Sequence, residues 1–134
     1  MRCALLLPLL VLAACGPSMQ AGNSSDVTLT VEPQTVAPAG SITLTLRNAS
    51  ESEVGYNLCS SGLEQNVGGT WTAVPSDRVC TMELRLLPPG EETTYPLELP
   101  ISVEPGEYRF VTNVDMAAVE DFGPVRSDPF EVAQ

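Results

Sequence analysis

The sequence contains no histidine and no lysine among its 134 residues. Without histidine there is no Ser-His-Asp triad, no Cys-His pair and no His-ligated zinc or copper centre. Without lysine there is no Schiff-base lysine, no Ser-Lys dyad and no P-loop lysine. Cations are scarce altogether: six arginines stand against 17 acidic residues, and the formal net charge is −11. So acidic a chain has no basic surface with which to release phosphate counterions, which argues against nucleic acid as a partner. The chain length suits one domain around one core, and a multi-domain enzyme is not expected.

What is present begins with an apolar run, Ala4 to Ala14, interrupted by Pro8 and preceded by Arg2 as its sole charge. A spanning helix needs about 20 apolar residues, so this run is too short to remain in a bilayer. It fits the h-region of a cleaved signal peptide. Leu12-Ala13-Ala14-Cys15 resembles the lipobox of bacterial lipoproteins. The resemblance implies removal of residues 1–14 and attachment of a diacylglycerol to the Cys15 sulfur, which is enough acyl chain for stable anchoring. It also implies a cell-envelope location. Gly16 follows, not the aspartate of inner-membrane retention, so the outer membrane is expected if the host has one. Residues 15–25 are small and polar without periodicity and read as a flexible tether.

Four cysteines are present. Cys3 lies in the signal and Cys15 at the lipid site. Cys59 and Cys80 remain, and in an exported domain their default state is a disulfide. The alternatives are a reactive thiol or a metal site, the latter poor for two distant cysteines without histidine.

From Asp26 onward, apolar residues recur at every second position. Val27, Leu29 and Val31 share one face, as do Ile42, Leu44 and Leu46, which predicts half-buried strands. Less regular strands are expected at Val54 to Cys59, at Thr70 to Val74 after a Gly68-Gly69 turn, through Cys80, Met82, Leu84 and Leu86, through Tyr95, Leu97 and Leu99, from Tyr108 to Thr112, and at Phe130 to Ala133. Arg109 and Val111 fall on the face opposite Tyr108 and Phe110. Pro38-Ala39-Gly40, Pro88-Pro89-Gly90 and Pro105-Gly106 punctuate the pattern as turns. Asp115 to Asp121 reads as a single helical turn or a loop. The expectation is an all-β antiparallel sandwich of about seven or eight strands over residues 26–134.

Two features point to an immunoglobulin-like fold. Pro105-Gly106-Glu107-Tyr108-Arg109-Phe110 resembles the start of a strand with a tyrosine corner at Tyr108. The series Pro38-Ala39-Gly40, Val54-Gly55-Tyr56-Asn57-Leu58-Cys59, Gly69-Thr70-Trp71, Cys80, Pro89-Gly90 and Pro105 to Arg109 resembles a family of bacterial immunoglobulin-like domains of envelope proteins. That resemblance implies fold and carries no common activity. Phe110 stands where antibody domains place a cysteine, so Cys59–Cys80 is not their inter-sheet bridge. It is expected to pin the Ser60–Val79 segment, which contains Trp71, onto the sandwich.

Candidate sites are few. Trp71, the single tryptophan, reads either as an anchor for a partner or as a side chain packed on the disulfide or over one end of the core. Glu120, Asp121 and Asp128 are oxygen donors near one another in sequence, but they lack calcium-loop spacing and read as solvated acids. Ser60 and Ser61 lie outside any nucleophile motif. Asn48-Ala49-Ser50 matches a glycosylation pattern and is expected to be unmodified. No catalytic, metal or cofactor residues are assigned. The leading expectation is a non-enzymatic, lipid-anchored envelope module that binds or organises another envelope protein or glycan. The alternative is a cell-surface protease inhibitor that docks Ser60–Thr70 or Ala117–Asp128 into a protease.

Overall fold

The computed structural model describes residues 26–116 and 124–134. Eleven strands follow one another: β1 (Val27–Glu32), β2 (Thr35–Val36), β3 (Ser41–Asn48), β4 (Val54–Tyr56), β5 (Gly62–Val67), β6 (Thr70–Val74), β7 (Arg85–Leu87), β8 (Glu92–Glu98), β9 (Gly106–Met116), β10 (Pro124–Arg126) and β11 (Phe130–Val132). A 3₁₀ turn at Leu58–Ser60 leads from β4 towards β5.

The strands form two sheets. The smaller has the order β1-β3-β8, antiparallel throughout. The larger is built on β9, its longest strand. One side of β9 pairs with β11 near Tyr108 and with β10 near Thr112. The other side pairs with β5 at Tyr108–Val111 and with β4 at Val114–Met116. Then β6 extends the sheet beyond β5, β7 beyond β4, and β2 beyond β11 in parallel.

The alternation in sequence sets the core. Val27, Leu29 and Val31 from β1 and Ile42, Leu44 and Leu46 from β3 are all buried, while their neighbours face outward. They meet Tyr108, Phe110 and Val114 of β9 and Phe130 and Val132 of β11. Phe110 and Phe130 stack at 5.7 Å between centroids. Each such large apolar side chain contributes roughly 1.5–3 kcal/mol of transfer free energy.

One end of each sheet comes close to the other, where Asn48 Nδ2 donates to Leu87 O. Ala49 N–H donates to Asp26 O, Gly90 N–H donates to Asn48 O, and Val54 lies opposite both Met116 and Leu87. These residues gather at the end where the described chain starts. The opposite end carries the Gly68-Gly69 turn and the 99–105 connection. Gly68 and Gly69 have φ of 60° and 87°, which only glycine adopts readily, and they close the two-residue hairpin between β5 and β6.

Asn48 is buried at the first of these ends, with every polar atom satisfied. Its Nδ2 donates to Ser52 O (2.8 Å) and Leu87 O (3.0 Å), and its Oδ1 accepts from Ser50 N–H and Oγ. The asparagine of the apparent glycosylation motif therefore joins the two sheets and offers no free amide.

Several expectations need correction. The run through Cys80, Met82, Leu84 and Leu86 does not form an inward-facing strand. Residues 75–84 have no regular structure, and β7 starts only at Arg85. Its register with β4 turns Leu87 inward, while Met82 and Leu86 are exposed. A one-residue shift exchanges the faces of a strand, and alternation alone does not fix which face goes in. The strand expected over Val54 to Cys59 stops at Tyr56 and gives way to the 3₁₀ turn. Asp115 belongs to β9, neither a helical turn nor a loop. Glu120, Asp121 and the rest of 117–123 lie outside the described residues. The short strands β2 and β10, and β5, were not anticipated.

Candidate interaction surface

Strand alternation gives β9 two different faces. Tyr108, Phe110, Thr112 and Val114 point into the core, and Arg109 and Val111 stand on the outer face. Glu64 of β5 lies directly opposite Arg109 in the register, and Asn66 lies opposite Trp71 of β6. These pairings place three side chains side by side. Arg109 Nε donates to Glu64 Oε2 at 2.6 Å, and the two side chains are only 19% and 24% exposed. The Arg109 guanidinium carbon sits 4.2 Å from the centroid of the Trp71 ring. Partial shielding makes the ion pair worth more than a fully exposed one, about 1 kcal/mol, and the stacked cation adds roughly 0.5–1 kcal/mol. Next to them Asn66 Nδ2 donates to Glu107 Oε1 (2.7 Å), and Asn66 Oδ1 accepts from Gly69 N–H (2.9 Å).

Trp71 is therefore not a member of the core. It is half-buried on the outer face, with one side of its indole held by Arg109. An aromatic fixed in this way loses little side-chain freedom on meeting a partner, which is the condition under which Trp and Arg become binding hot spots. Arg109 was legible as outward-facing from alternation. Its partner Glu64 was not, because β5 carries no regular apolar alternation.

Cys59 and Cys80 form a disulfide with Cα atoms 5.7 Å apart. The bridge holds residues 75–84 against the larger sheet as a strap. Asn57 Nδ2 donates to Thr81 O (2.7 Å) and Arg78 Nη2 donates to Ser61 O (3.1 Å). Leu84 lies over Gly55 of β4, where a Cβ would come within 3.0 Å of its methyl carbon. Gly55 thus permits the close approach of strap and sheet. A cleft of about 320 Å³ separates the strap from Thr93–Tyr95 of β8, and one of about 430 Å³ lies between Met82, Leu84 and the end of β9. Ser61 is buried and its Oγ has no partner, whereas Ser60 Oγ donates to Asn57 O. Neither serine faces a base. Among the described residues no group of three or more His, Cys, Asp or Glu side chains is arranged to hold a metal.

Tyr108 stands on the other face of the same strand. Its ring is buried, and its hydroxyl donates to Glu104 O at 2.6 Å, four residues upstream. Burial, and then the Glu104 charge, push the phenol above its ordinary value of 10.0. Cys15 lies outside the described residues. The loops considered for protease docking are altered as well: Ser60–Thr70 is mainly β5 and its turn, paired along β9, and the described end of the second contains β10.

Two antiparallel-rich sheets, a buried tyrosine corner and a core of alternating residues define an immunoglobulin-like sandwich. More narrowly, the chain belongs to the bacterial Ig-like domain family, whose model matches residues 23–123. Among solved structures it is similar to the structural-genomics target SoR45 (15% identity, 83% of this chain and 89% of that chain, TM-score 0.56). It is also similar to the putative ApaA protein from Bordetella pertussis (18% identity, 81% and 89%, TM-score 0.51). A third likeness is to the CsuC–CsuE chaperone–tip adhesion subunit complex of Acinetobacter baumannii (11% identity, 79% and 51%, TM-score 0.50). At these identities the likeness is one of fold. No curated protein matches the chain.

Proposed function

We propose that this protein is a lipid-anchored, non-enzymatic module of the bacterial cell envelope, and that it binds another envelope component, a protein or a glycan. Membership of the bacterial Ig-like family supports the envelope setting. Leu12-Ala13-Ala14-Cys15 supports the anchor at Cys15, with residues 15–25 as the tether. Among the described residues no helix is long and apolar enough to cross a membrane.

The observation that carries the binding role is the Trp71–Arg109–Glu64 arrangement on the outer face of the larger sheet. An ordered, half-exposed tryptophan with no place in the core suits recognition better than folding. The topology agrees with a tethered role: the chain joins the sandwich at Asp26, and the Gly68-Gly69 turn is at the other end. The tether therefore enters the domain at the end opposite the β5–β6 hairpin. The strongly negative charge keeps the domain from lying flat on anionic lipid.

The anchor is tested by intact mass and membrane fractionation of the native protein and of Cys15→Ala in the host. The expected result is a mature chain starting at an acylated Cys15 in the membrane fraction, with Cys15→Ala released or unprocessed. A wild-type chain lacking acyl mass and recovered in the soluble fraction would contradict it.

A further inference from the structure

Among the described strands, the outer edge of β6 is the least guarded, with Pro75 only after its last residue. Every open sheet presents unpaired backbone N–H and C=O groups at its margins, and proteins blunt those margins with charge, proline, short strands or cover. The other margins here are blunted. β8 contains Pro96 and has acids at both ends, Glu92 and Glu98, and the strap runs beside it. β2 and β7 have two and three residues. β1 gives way within a few residues to β2, which joins the opposite sheet. β6 has five residues, Thr70-Trp71-Thr72-Ala73-Val74, without a charge or a proline. Among the described strands it pairs with β5 alone. Thr70, Thr72 and Ala73 are exposed, as is Val67 across the hairpin.

We propose that β6 receives an added antiparallel or parallel strand, and that the occupant is an extended, Lys/Arg-bearing segment of a partner protein. Strand addition takes its affinity from main-chain hydrogen bonds and its selectivity from alternate side chains. Trp71, braced by Arg109, provides the cross-strand neighbour for one of those side chains. Charge favours such an occupant. Arg109 is neutralised by Glu64 and Asp77 is followed by Arg78, while Glu107 and Glu131 lie opposite one another on β9 and β11, further across the same face. A second copy of this chain would bring another strongly negative domain to the edge, whereas a basic segment is attracted to it. This inference rests on the reading above and narrows its partner to a protein.

The test uses the mature chain with Cys15→Ala and three synthetic ten-residue peptides. One alternates valine and threonine with four lysines, the second replaces the lysines by glutamates, and the third is the lysine peptide with a central proline. Amide hydrogen exchange is followed at Trp71 and Ala73, whose N–H groups point away from β5. The lysine peptide at saturation is expected to slow exchange there at least tenfold, the other two to leave it unchanged, and Thr70→Lys/Thr72→Lys to abolish the protection. The proposal is overturned by unchanged exchange with the lysine peptide, by equal protection from the glutamate peptide, or by protection that grows with protein concentration in the absence of peptide. Should the peptide experiment fail while crosslinking from position 73 in cells, with Trp71 intact, still finds an envelope partner, the proposed function stands and the strand-addition mode falls.

Discussion

Replacing Tyr108 by Phe removes one oxygen and leaves the ring. In the native domain the ring is buried against Phe130, with centroids 6.2 Å apart, and the hydroxyl donates to Glu104 O at 2.6 Å. The ring's contribution should survive, so the change isolates the corner hydrogen bond. Glu104 is exposed, and water can reach its carbonyl once the phenol is gone. The expected loss is therefore the net value of one hydrogen bond, about 1 kcal/mol, and not the larger penalty of a stranded buried acceptor. For a domain of this size, that corresponds to about 4–8 °C in Tm. Urea unfolding should show a lower midpoint with an unchanged m-value. Tyr108→Ala removes the ring as well and should cost about 3–5 kcal/mol. The hydroxyl also has a pH signature. The folded phenol titrates above 10.0 because burial and Glu104 disfavour its anion. The unfolded phenol ionises first, so stability is intact below about pH 10 and declines as pH rises towards the folded value. That decline should be smaller in Tyr108→Phe. If Tyr108→Phe matched the wild type within experimental error at neutral pH, the corner would not be holding the 99–105 connection to β9.

Further expectations concern other parts of the molecule. Met82→Ser should alter stability by less than about 0.5 kcal/mol because the side chain is fully exposed, while Leu87→Ala should cost about 2–5 kcal/mol; urea titrations of both variants test the strap's register. Replacing both Cys59 and Cys80 by Ala opens a loop with a sequence separation of 21, for which the chain-entropy model gives about 3 kcal/mol, measurable as a lower urea midpoint. Arg109→Ala frees one face of Trp71, which should shift tryptophan fluorescence to longer wavelength and reduce stability by about 1 kcal/mol.

The sheets were legible where apolar residues alternate on a buried face. β1, β3, β8 and the first half of β9 follow that rule, and their registers agree with it. The 80–86 region obeys the same rule and misleads. Its alternation is regular, but the disulfide and the seat of Leu84 over Gly55 hold it as a strap, and pairing with β4 selects Leu87 for the core. Strand β5 was hidden for the opposite reason. Leu63 is buried, but Glu64, Gln65 and Asn66 lie in the middle of the larger sheet, where the Glu64 and Asn66 side chains find partners across strands. A polar strand of this kind is defined by tertiary pairing, which propensity does not anticipate. The candidate site inherits this difficulty. Arg109 could be placed on a face from sequence, but Trp71 could not, and their meeting depends on β5 lying between them.

Site-specific photocrosslinking in the native host shows whether the face around Trp71 meets an envelope partner. A photoreactive amino acid is placed at position 73 of the full-length chain, exposed on β6 beside an intact Trp71, and in a separate chain at position 28, which is exposed on the smaller sheet. Adducts are identified by mass spectrometry. A discrete envelope adduct is expected from position 73, lost in Trp71→Ala and reduced in Arg109→Ala, and absent from position 28. Equal adducts from positions 73 and 28, or none from position 73, would show that this face is not the binding surface.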